Sequence, residues 1–279
     1  MLSQEILHKI RHLELQTKRI LAGNSAGDYM NHTRGSGFEF DQLRDYEQGD
    51  DVRFIDWKSS ARTNKLLIRQ YKEERNRTVV ILIDCSASSF YGSSILKYDV
   101  MAELGAVIAF ASQYNKDYVG LVLFNDVVQT VVPAAGGQAH CTKIVQEIFS
   151  CPIQEKSTSL ATALTHVLSQ YAKSAFVVII SDFLDNNYQP LLKTVASRHT
   201  LIALRVADPY EVSGGAIGMM QLQDSESSAV RDWHGRSEFS HAHAQQNICF
   251  AQCGINVFDV VVGSSWINDL IYFFMRSHE

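Results

Sequence analysis

The chain has 279 residues, of which 46% are hydrophobic and 20% are charged. This balance, with only 4 prolines, excludes intrinsic disorder and low-complexity sequence as descriptions of the whole chain, and it predicts one large globular domain or two smaller ones. The 30 Asp and Glu residues outnumber the 25 Lys and Arg residues, so the net charge of -5 provides no overall attraction to nucleic acid or to an anionic membrane.

The chain is expected to be cytoplasmic and to lack a membrane span. No run of apolar residues approaches the roughly 18 that a membrane helix needs. Glu5, His8 and Lys9 interrupt the start of the chain, where a signal peptide requires an unbroken apolar core. The five cysteines are odd in number and form no CxxC pair, which favours reduced thiols over a disulfide framework.

The first structural element predicted is an amphipathic helix, because apolar residues recur at steps of three or four from Leu2 to Leu21. An acidic block over 38–51 and a basic block over 53–77 follow, with apolar residues between the charges. These charges are expected to pair with each other, and phosphate binding by the basic block is the weaker alternative.

The segment that carries these blocks contains too many apolar residues to be a free tail. It is expected to pack against the remainder of the chain through four aromatic side chains: Phe38, Phe40, Phe54 and Trp57. The sequence therefore divides into an N-terminal helix with this segment, 1–77, and a larger domain, 78–279.

The larger domain alternates apolar runs with helical patterns, which predicts a doubly wound, mostly parallel α/β sheet. The predicted strands are 78–84, 118–124, 176–181, 200–206 and 255–262, with a further antiparallel edge strand in 127–133. The predicted helices are 94–114, 138–149, 159–172, 188–198 and 236–252. Residues 207–235 fit either a small hairpin or a surface loop.

Oxygen-bearing side chains gather where the predicted strands end. Asp84, Ser86 and Ser88 follow the first strand with a period of two, Thr158 precedes a helix, and Asp182 ends the strand 176–181. Ligands of open α/β sheets bind at this edge. Two carboxylates and three hydroxyls, with no nitrogen or thiolate, suit Mg²⁺ or Mn²⁺, and their coordination would be completed by water and by an outside ligand.

Several other interpretations compete for these residues. The DxSxS run taken alone also fits a turn and a helix N-cap. His234, His241 and His243 suit a solvated helix face better than a zinc site, since no partner lies at a ligand spacing. Cys85 lies in the same loop, but without a positioned His it is read as a packed residue and not as a nucleophile.

The quoted residues resemble two known families. The DxSxS loop at 84–88, the stretch Thr158-Ser-Leu-x-x-Ala-Leu and Asp182 look like the metal-ion-dependent adhesion site of von Willebrand factor A domains. Residues 35–62, which begin GSGFEFDQLRDYEQGDD and continue VRFIDWKSSAR, closely resemble the signature of the bacterial domain-of-unknown-function-58 family. The resemblance implies a von Willebrand factor A-like fold and a MoxR-type AAA+ ATPase as a partner.

The leading interpretation is a non-enzymatic adaptor that uses Mg²⁺ or Mn²⁺ to grip an Asp or Glu of the ATPase or of a client protein. The main alternative is a metal-dependent phosphohydrolase, because an Asp at the first strand end also suits phosphoryl transfer. Ser86 argues against it, since a haloacid-dehalogenase-like loop would place the general acid at that position.

Overall fold

The structure is a computed structural model. It describes residues 4–24, 39–47, 50–63, 65–72, 77–90, 95–152, 157–185, 187–209, 211, 220–223, 230–233 and 237–276. The chain divides into two compact units, one formed by Met1–Ser25 with Arg77–Glu279 and the other by Ala26–Asn76.

The larger unit is an α/β sheet with helices on both faces. Its strands are β3 (Thr78–Asp84), β4 (Tyr118–Phe124), β5 (Val128–Ala135), β6 (Phe176–Ser181), β7 (Thr200–Ala207) and β10 (Asn256–Val261). Its helices are α1 (Gln4–Asn24), α3 (Lys97–Tyr114), α4 (Gln138–Phe149), α5 (Leu160–Gln170), α6 (Gln189–Ala196), α7 (Ser237–Gln252) and α8 (Ile267–Arg276).

The six strands lie in the order β10-β7-β6-β3-β4-β5. All neighbours are parallel except β5, which pairs antiparallel with β4 at the edge. The prediction of a doubly wound, mostly parallel sheet with an antiparallel edge strand is therefore confirmed. Helix α8 is an element that the sequence patterns did not indicate.

Both faces of β3 are covered, which explains its unbroken run of Val, Ile and Leu over 79–83. Val79, Ile81 and Ile83 belong to one core cluster, which includes residues of α3, α4 and α8. Val80 and Leu82 belong to a second cluster, which includes residues of α5, α6 and α7. The strand end that carries Asp84 is thus fixed from both sides of the sheet.

Gly105 of α3 packs directly against the side chain of Ile83 on β3. A Cβ added at Gly105, in the middle of α3, would come within 2.6 Å of Ile83 Cδ1 and 3.2 Å of Ile148 Cδ1. Only glycine permits this approach without movement of the neighbours. The first residue of the same helix is Lys97.

Helix α1 packs on α3 within the α/β unit. Leu13 is buried in the same core cluster as α3, and Lys9 forms a 2.7 Å ion pair with Glu103. The sequence-based division at residue 77 groups α1 with the segment that carries the acidic and basic blocks. In the structure, α1 belongs to the α/β unit. The sequence shows that α1 has an apolar face, but it does not show which surface covers that face.

The smaller unit contains β1 (Glu39–Asp45), α2 (Trp57–Thr63) and β2 (Leu67–Lys72), and β1 pairs antiparallel with β2. Among the described residues, the ion pair Arg53–Asp51 joins the acidic and basic blocks as predicted, whereas Arg44–Asp50 lies within the acidic block and Arg69–Asp56 within the basic block. Phe54 and Trp57 are 44% and 66% exposed, Phe38 lies outside the described residues, and the side chain of Phe40 is not described. Packing through these four aromatics stays a prediction.

Within 207–235, the described residues form the hairpin alternative. Strands β8 (Met220–Gln223) and β9 (Val230–Trp233) pair antiparallel. Among the helices of the part of the chain that the structure describes, none is long and apolar enough to cross a membrane.

Candidate metal-binding site

Asp84 is the centre of the candidate site. It ends β3, is fully buried, and lies beside Ser181 because β3 and β6 run parallel with Ile83 opposite Ile180. Asp84 Oδ1 accepts a 2.9 Å hydrogen bond from the Ser86 backbone N–H, and Oδ2 accepts a 2.7 Å bond from the Ser181 hydroxyl. Both partners are neutral, so they orient the carboxylate but do not balance its charge.

The loop after β3 alternates its side chains as the spacing predicts. Ser86 is buried, Ser88 is half-buried, and their hydroxyl oxygens lie 3.1 Å apart. Cys85 takes a different partner, since its thiol donates to the Phe124 carbonyl at 3.1 Å. The structure therefore brings Asp84, Ser86 and Ser88 together and leaves Cys85 packed against β4.

Asp182 lies at the end of β6 and joins the same network. Ser88 hydrogen-bonds its carboxylate, so a chain of contacts runs from Asp84 through the two serines to Asp182. Its Oδ1 accepts from the Leu184 backbone N–H at 3.2 Å, and its Oδ2 accepts from Lys97 Nζ at 2.9 Å. Asp182 is thus held by three donors, one of them charged.

The residue after Asp182 has a strained backbone. Phe183 has φ of 55°, in the left-handed region that residues with a bulky side chain rarely adopt. Its N–H donates to the Ser181 hydroxyl at 3.0 Å, and its carbonyl accepts from Gln246 Nε2 on α7 at 2.6 Å. Its ring packs edge-on against Phe250 at 5.1 Å. These contacts hold the turn that aims Asp182, and such strain is common at functional sites.

Thr158 is half-buried just before α5, at the same edge of the sheet. Its neighbours fix this position, because the Ser159 N–H donates to the Asn125 carbonyl after β4 and the Leu160 N–H donates to Asp185 Oδ2 after β6. All five residues predicted as metal ligands therefore lie at the carboxyl edge of neighbouring strands. That they bind a metal stays a prediction.

The two aspartates differ in electrostatic environment. Burial, and next the charge of Asp182, raise the pKa of Asp84 to about 7. Burial acts on Asp182 in the same direction, but the Lys97 ammonium outweighs it and holds the pKa of Asp182 below its ordinary value. Burial by itself would lower the pKa of Lys97, yet the carboxylates of Asp182 and Glu211 raise it. Asp84 is therefore the carboxyl whose ionisation the site supports least.

Lys97 and Glu211 are components of the site that the sequence patterns did not reveal. The Lys97 side chain is 1% exposed and contacts Glu211 Oε1 at 3.0 Å as well as Asp182. A lysine at the start of a largely buried helix was the available signal for Lys97. Glu211 lies in the stretch whose structure the sequence left open, so nothing pointed to it.

The side chains of the candidate site resemble the ligands of a site that binds a hard cation. Within the described ranges, no group of three or more His, Cys, Asp or Glu side chains is arranged to hold a metal ion. The candidate site instead combines two carboxylates with three hydroxyls, which are oxygen donors suited to Mg²⁺ or Mn²⁺. For the zinc alternative, His234 and the side chain of His241 are not described, and burial followed by the charge of Arg205 lowers the pKa of His243.

Comparison with known proteins identifies the family. The model described as "Protein of unknown function DUF58" matches residues 42–248, so the chain belongs to this family, as its signature predicted. The uncharacterized protein Rv1480 of Mycobacterium tuberculosis is 31% identical over 276 residues, which cover 95% of this chain and 87% of that protein.

Solved structures that are partly similar to this chain include a bacterial and a mussel protein. The conserved hypothetical protein BatB from Bacteroides thetaiotaomicron is 13% identical, with a TM-score of 0.48 over 72% of this chain and 98% of that one. Proximal thread matrix protein 1 from the mussel byssus, with a zinc-occupied MIDAS motif, is 16% identical, with a TM-score of 0.39 over 64% of this chain and 48% of that one. At these identities the similarity concerns the fold alone.

Proposed function

We propose that this protein is a non-enzymatic binding module that uses Mg²⁺ or Mn²⁺ at the edge of its sheet to grip a carboxylate of a partner protein. The observation that carries the proposal is a charge imbalance in a buried network. Asp84, Asp182 and Glu211 supply three carboxylates and Lys97 supplies one ammonium, so two negative charges are left over when all are ionised. A divalent cation would balance them.

The residues of the site suit different parts of this task. Asp84 would hold the ion with its charge, and the hydroxyls of Ser86, Ser88 and Thr158 would supply neutral oxygen ligands. Asp182 already accepts from Lys97, Leu184 and Ser88, so it fits a contact through a bound water better than a direct one. The ion, when bound, would supply an electrophilic position for an incoming anion.

The partner is inferred from chemistry and from family resemblance. An ion held largely by neutral hydroxyls keeps most of its positive charge, so it would attract the carboxylate of an Asp or Glu side chain. A charge-assisted contact between that carboxylate and the ion is stronger than an exposed salt bridge. A MoxR-type AAA+ ATPase, or a client that it remodels, is the partner that the resemblance implies.

The groups around the site fit binding better than hydrolysis. Hydrogen bonding to Cys151 and burial raise the pKa of the Cys85 thiol far above neutrality, and Lys97 is held protonated between two carboxylates. Neither is prepared to act as a nucleophile or a base at neutral pH. The position two residues after Asp84 is a buried serine, which cannot act as the general acid of a phosphohydrolase.

Metal titration of the whole chain tests the proposal. Calorimetric titration with Mn²⁺ is expected to show one site in the native protein and none in Asp84→Asn, which keeps the shape of the side chain but removes its charge. Asp117→Asn is the control for the same change of charge, because Asp117 is half-buried and precedes β4, at the amino ends of the strands and away from the candidate site. Equal heats for the native protein and Asp84→Asn would refute the assignment.

Partner binding requires a separate measurement. Association of the purified chain with a MoxR-type ATPase of the same organism is expected in Mg²⁺ and lost both in EDTA and in Asp84→Asn. Phosphate release from nucleotides or phosphoesters that depends on metal and on Asp84 would favour the phosphohydrolase instead. Binding of the ATPase that persists in EDTA would show that the contact surface lies elsewhere.

A further inference from the structure

Lys97 occupies a position that is costly for a lysine. It is the first residue of α3, and its side chain is 1% exposed. The N-terminus of a helix carries a partial positive charge, which disfavours a cation there, and burial removes the ammonium from water. A buried lysine at this point is stable only because of the groups that it contacts.

Those groups come from two different strand ends. Lys97 Nζ donates to Asp182 Oδ2 at 2.9 Å, just after β6, and to Glu211 Oε1 at 3.0 Å, four residues after β7. The other oxygen of Glu211 accepts from the Asp208 backbone N–H at 2.9 Å. Lys97 therefore ties the turn that carries Asp182 to the segment that follows β7.

We infer that Lys97 is the built-in cation of the metal site: it stabilises the carboxylate network when no metal is bound, and its charge sets how strongly the site attracts a divalent ion. This inference rests on the proposed metal site and concerns its regulation. Lys97 is a positioning and charge-setting residue, since an ammonium cannot ligate a metal ion.

The inference gives opposite expectations for two neighbouring residues that are not predicted ligands. Removing the Lys97 charge makes the network more negative and should strengthen cation binding. Removing the Glu211 charge makes the network less negative and should weaken it. A purely structural role would give a different result, because disturbing either side of the Lys97–Glu211 contact would loosen the site and weaken binding in both cases.

The experiment is a titration of the whole chain and its variants with Mn²⁺ at one pH and ionic strength. Electron paramagnetic resonance measures how much of the Mn²⁺ is bound. Lys97→Met, of similar shape but uncharged, is expected to bind Mn²⁺ roughly tenfold more tightly, and Glu211→Gln several-fold more weakly, as Coulomb interactions over a few ångströms imply. Lys9→Met is the control, because it removes the same charge from the ion pair between α1 and α3, in which the Lys9 side chain is 42% exposed. Its affinity should stay within about twofold of the native value.

A double variant covers the case in which Lys97→Met does not fold. Lys97→Met with Glu211→Gln removes one charge of each sign, so its affinity should return close to that of the native chain. A double variant that binds as weakly as Glu211→Gln alone would overturn the inference, as would weaker binding by a folded Lys97→Met.

The outcomes also separate this inference from the proposed function. If the native chain binds Mn²⁺ and the two single variants do not diverge in opposite directions, the role of Lys97 is wrong and the metal site stands. If only Lys97→Met binds, Lys97 acts as the built-in cation, but the native chain does not depend on metal. If no variant binds, both are refuted.

Discussion

Replacing Asp84 with asparagine is expected to stabilise the metal-free protein above neutral pH while it abolishes metal binding. The pKa of Asp84 rises from an ordinary value of 3.8 to about 7 in the folded chain. A carboxyl with a higher pKa in the folded than in the unfolded state binds protons preferentially on folding. The ionisation of Asp84 therefore leaves the free energy of unfolding unchanged below about pH 4 and lowers it increasingly as the pH rises towards 7. Above pH 7 the free energy of unfolding is lowered by the full amount.

The size of the effect follows from the same pKa. At about 1.4 kcal/mol per pKa unit, the folded state loses at most ~4 kcal/mol when Asp84 is ionised. Asparagine avoids this cost but fits the Ser181 hydroxyl less well, which costs about 1 kcal/mol. A net gain of ~2–3 kcal/mol is expected at pH 8, corresponding to roughly 5–10 °C in melting temperature for a unit of this size.

The assay is urea unfolding of the native chain and Asp84→Asn in EDTA at pH 5 and pH 8. The variant should be more stable at pH 8, with a smaller difference at pH 5, and saturating Mg²⁺ should stabilise only the native chain. Asp182→Asn is the matched comparison, since the pKa of Asp182 lies below its ordinary value and its charge supports the fold. That variant should be less stable at both pH values. The reasoning is refuted if Asp84→Asn is less stable than the native chain at pH 8 in EDTA.

Three further predictions concern the scaffold. Burial raises the pKa of Asp117 to about 6, so Asp117→Asn should stabilise the protein at pH 8 but not at pH 4, as thermal melting at both values would show. Gly105→Val should cost ~1–3 kcal/mol in urea unfolding, because its side chain would overlap Ile83; a neutral result would show that α3 can move away from β3. Gln246→Leu should cost ~1–3 kcal/mol, since it leaves the buried Phe183 carbonyl without its amide donor, and unchanged stability would contradict the role given to this contact.

The network around Asp182 shows how a structural contact supports a site at a distance. Gln246 reaches from α7 to the Phe183 carbonyl, and its own carbonyl accepts from Arg205 Nη1 on β7 at 2.8 Å. Arg205 in turn binds Asp259 on β10 through two nitrogens. The strained turn after Asp182 is thus braced by two neighbouring strands and a helix, which favours a rigid position for its carboxylate.

The sequence by itself determined the sheet and most of the candidate site. Strands covered on both faces are mostly apolar, so runs such as 78–84 and 176–181 stand out and their polar ends are easy to locate. Because parallel strands end at one edge, the residues after them are brought together without any knowledge of distances. For this reason the sequence predicts that Asp84, Ser86, Ser88 and Asp182 lie close together, and the structure links them by hydrogen bonds.

The tertiary structure alone decided which charges meet at that edge. Lys97 and Glu211 are 114 residues apart, and no local pattern relates them, yet their side chains lie 3.0 Å apart in a site from which water is largely excluded. The packing of α1 against α3 could not be predicted from the sequence either, because the periodicity of an amphipathic helix shows its apolar face but not the surface that covers this face. Local periodicity is set by neighbouring residues, whereas the balance of charge in a buried site depends on contacts that form only when distant segments fold together.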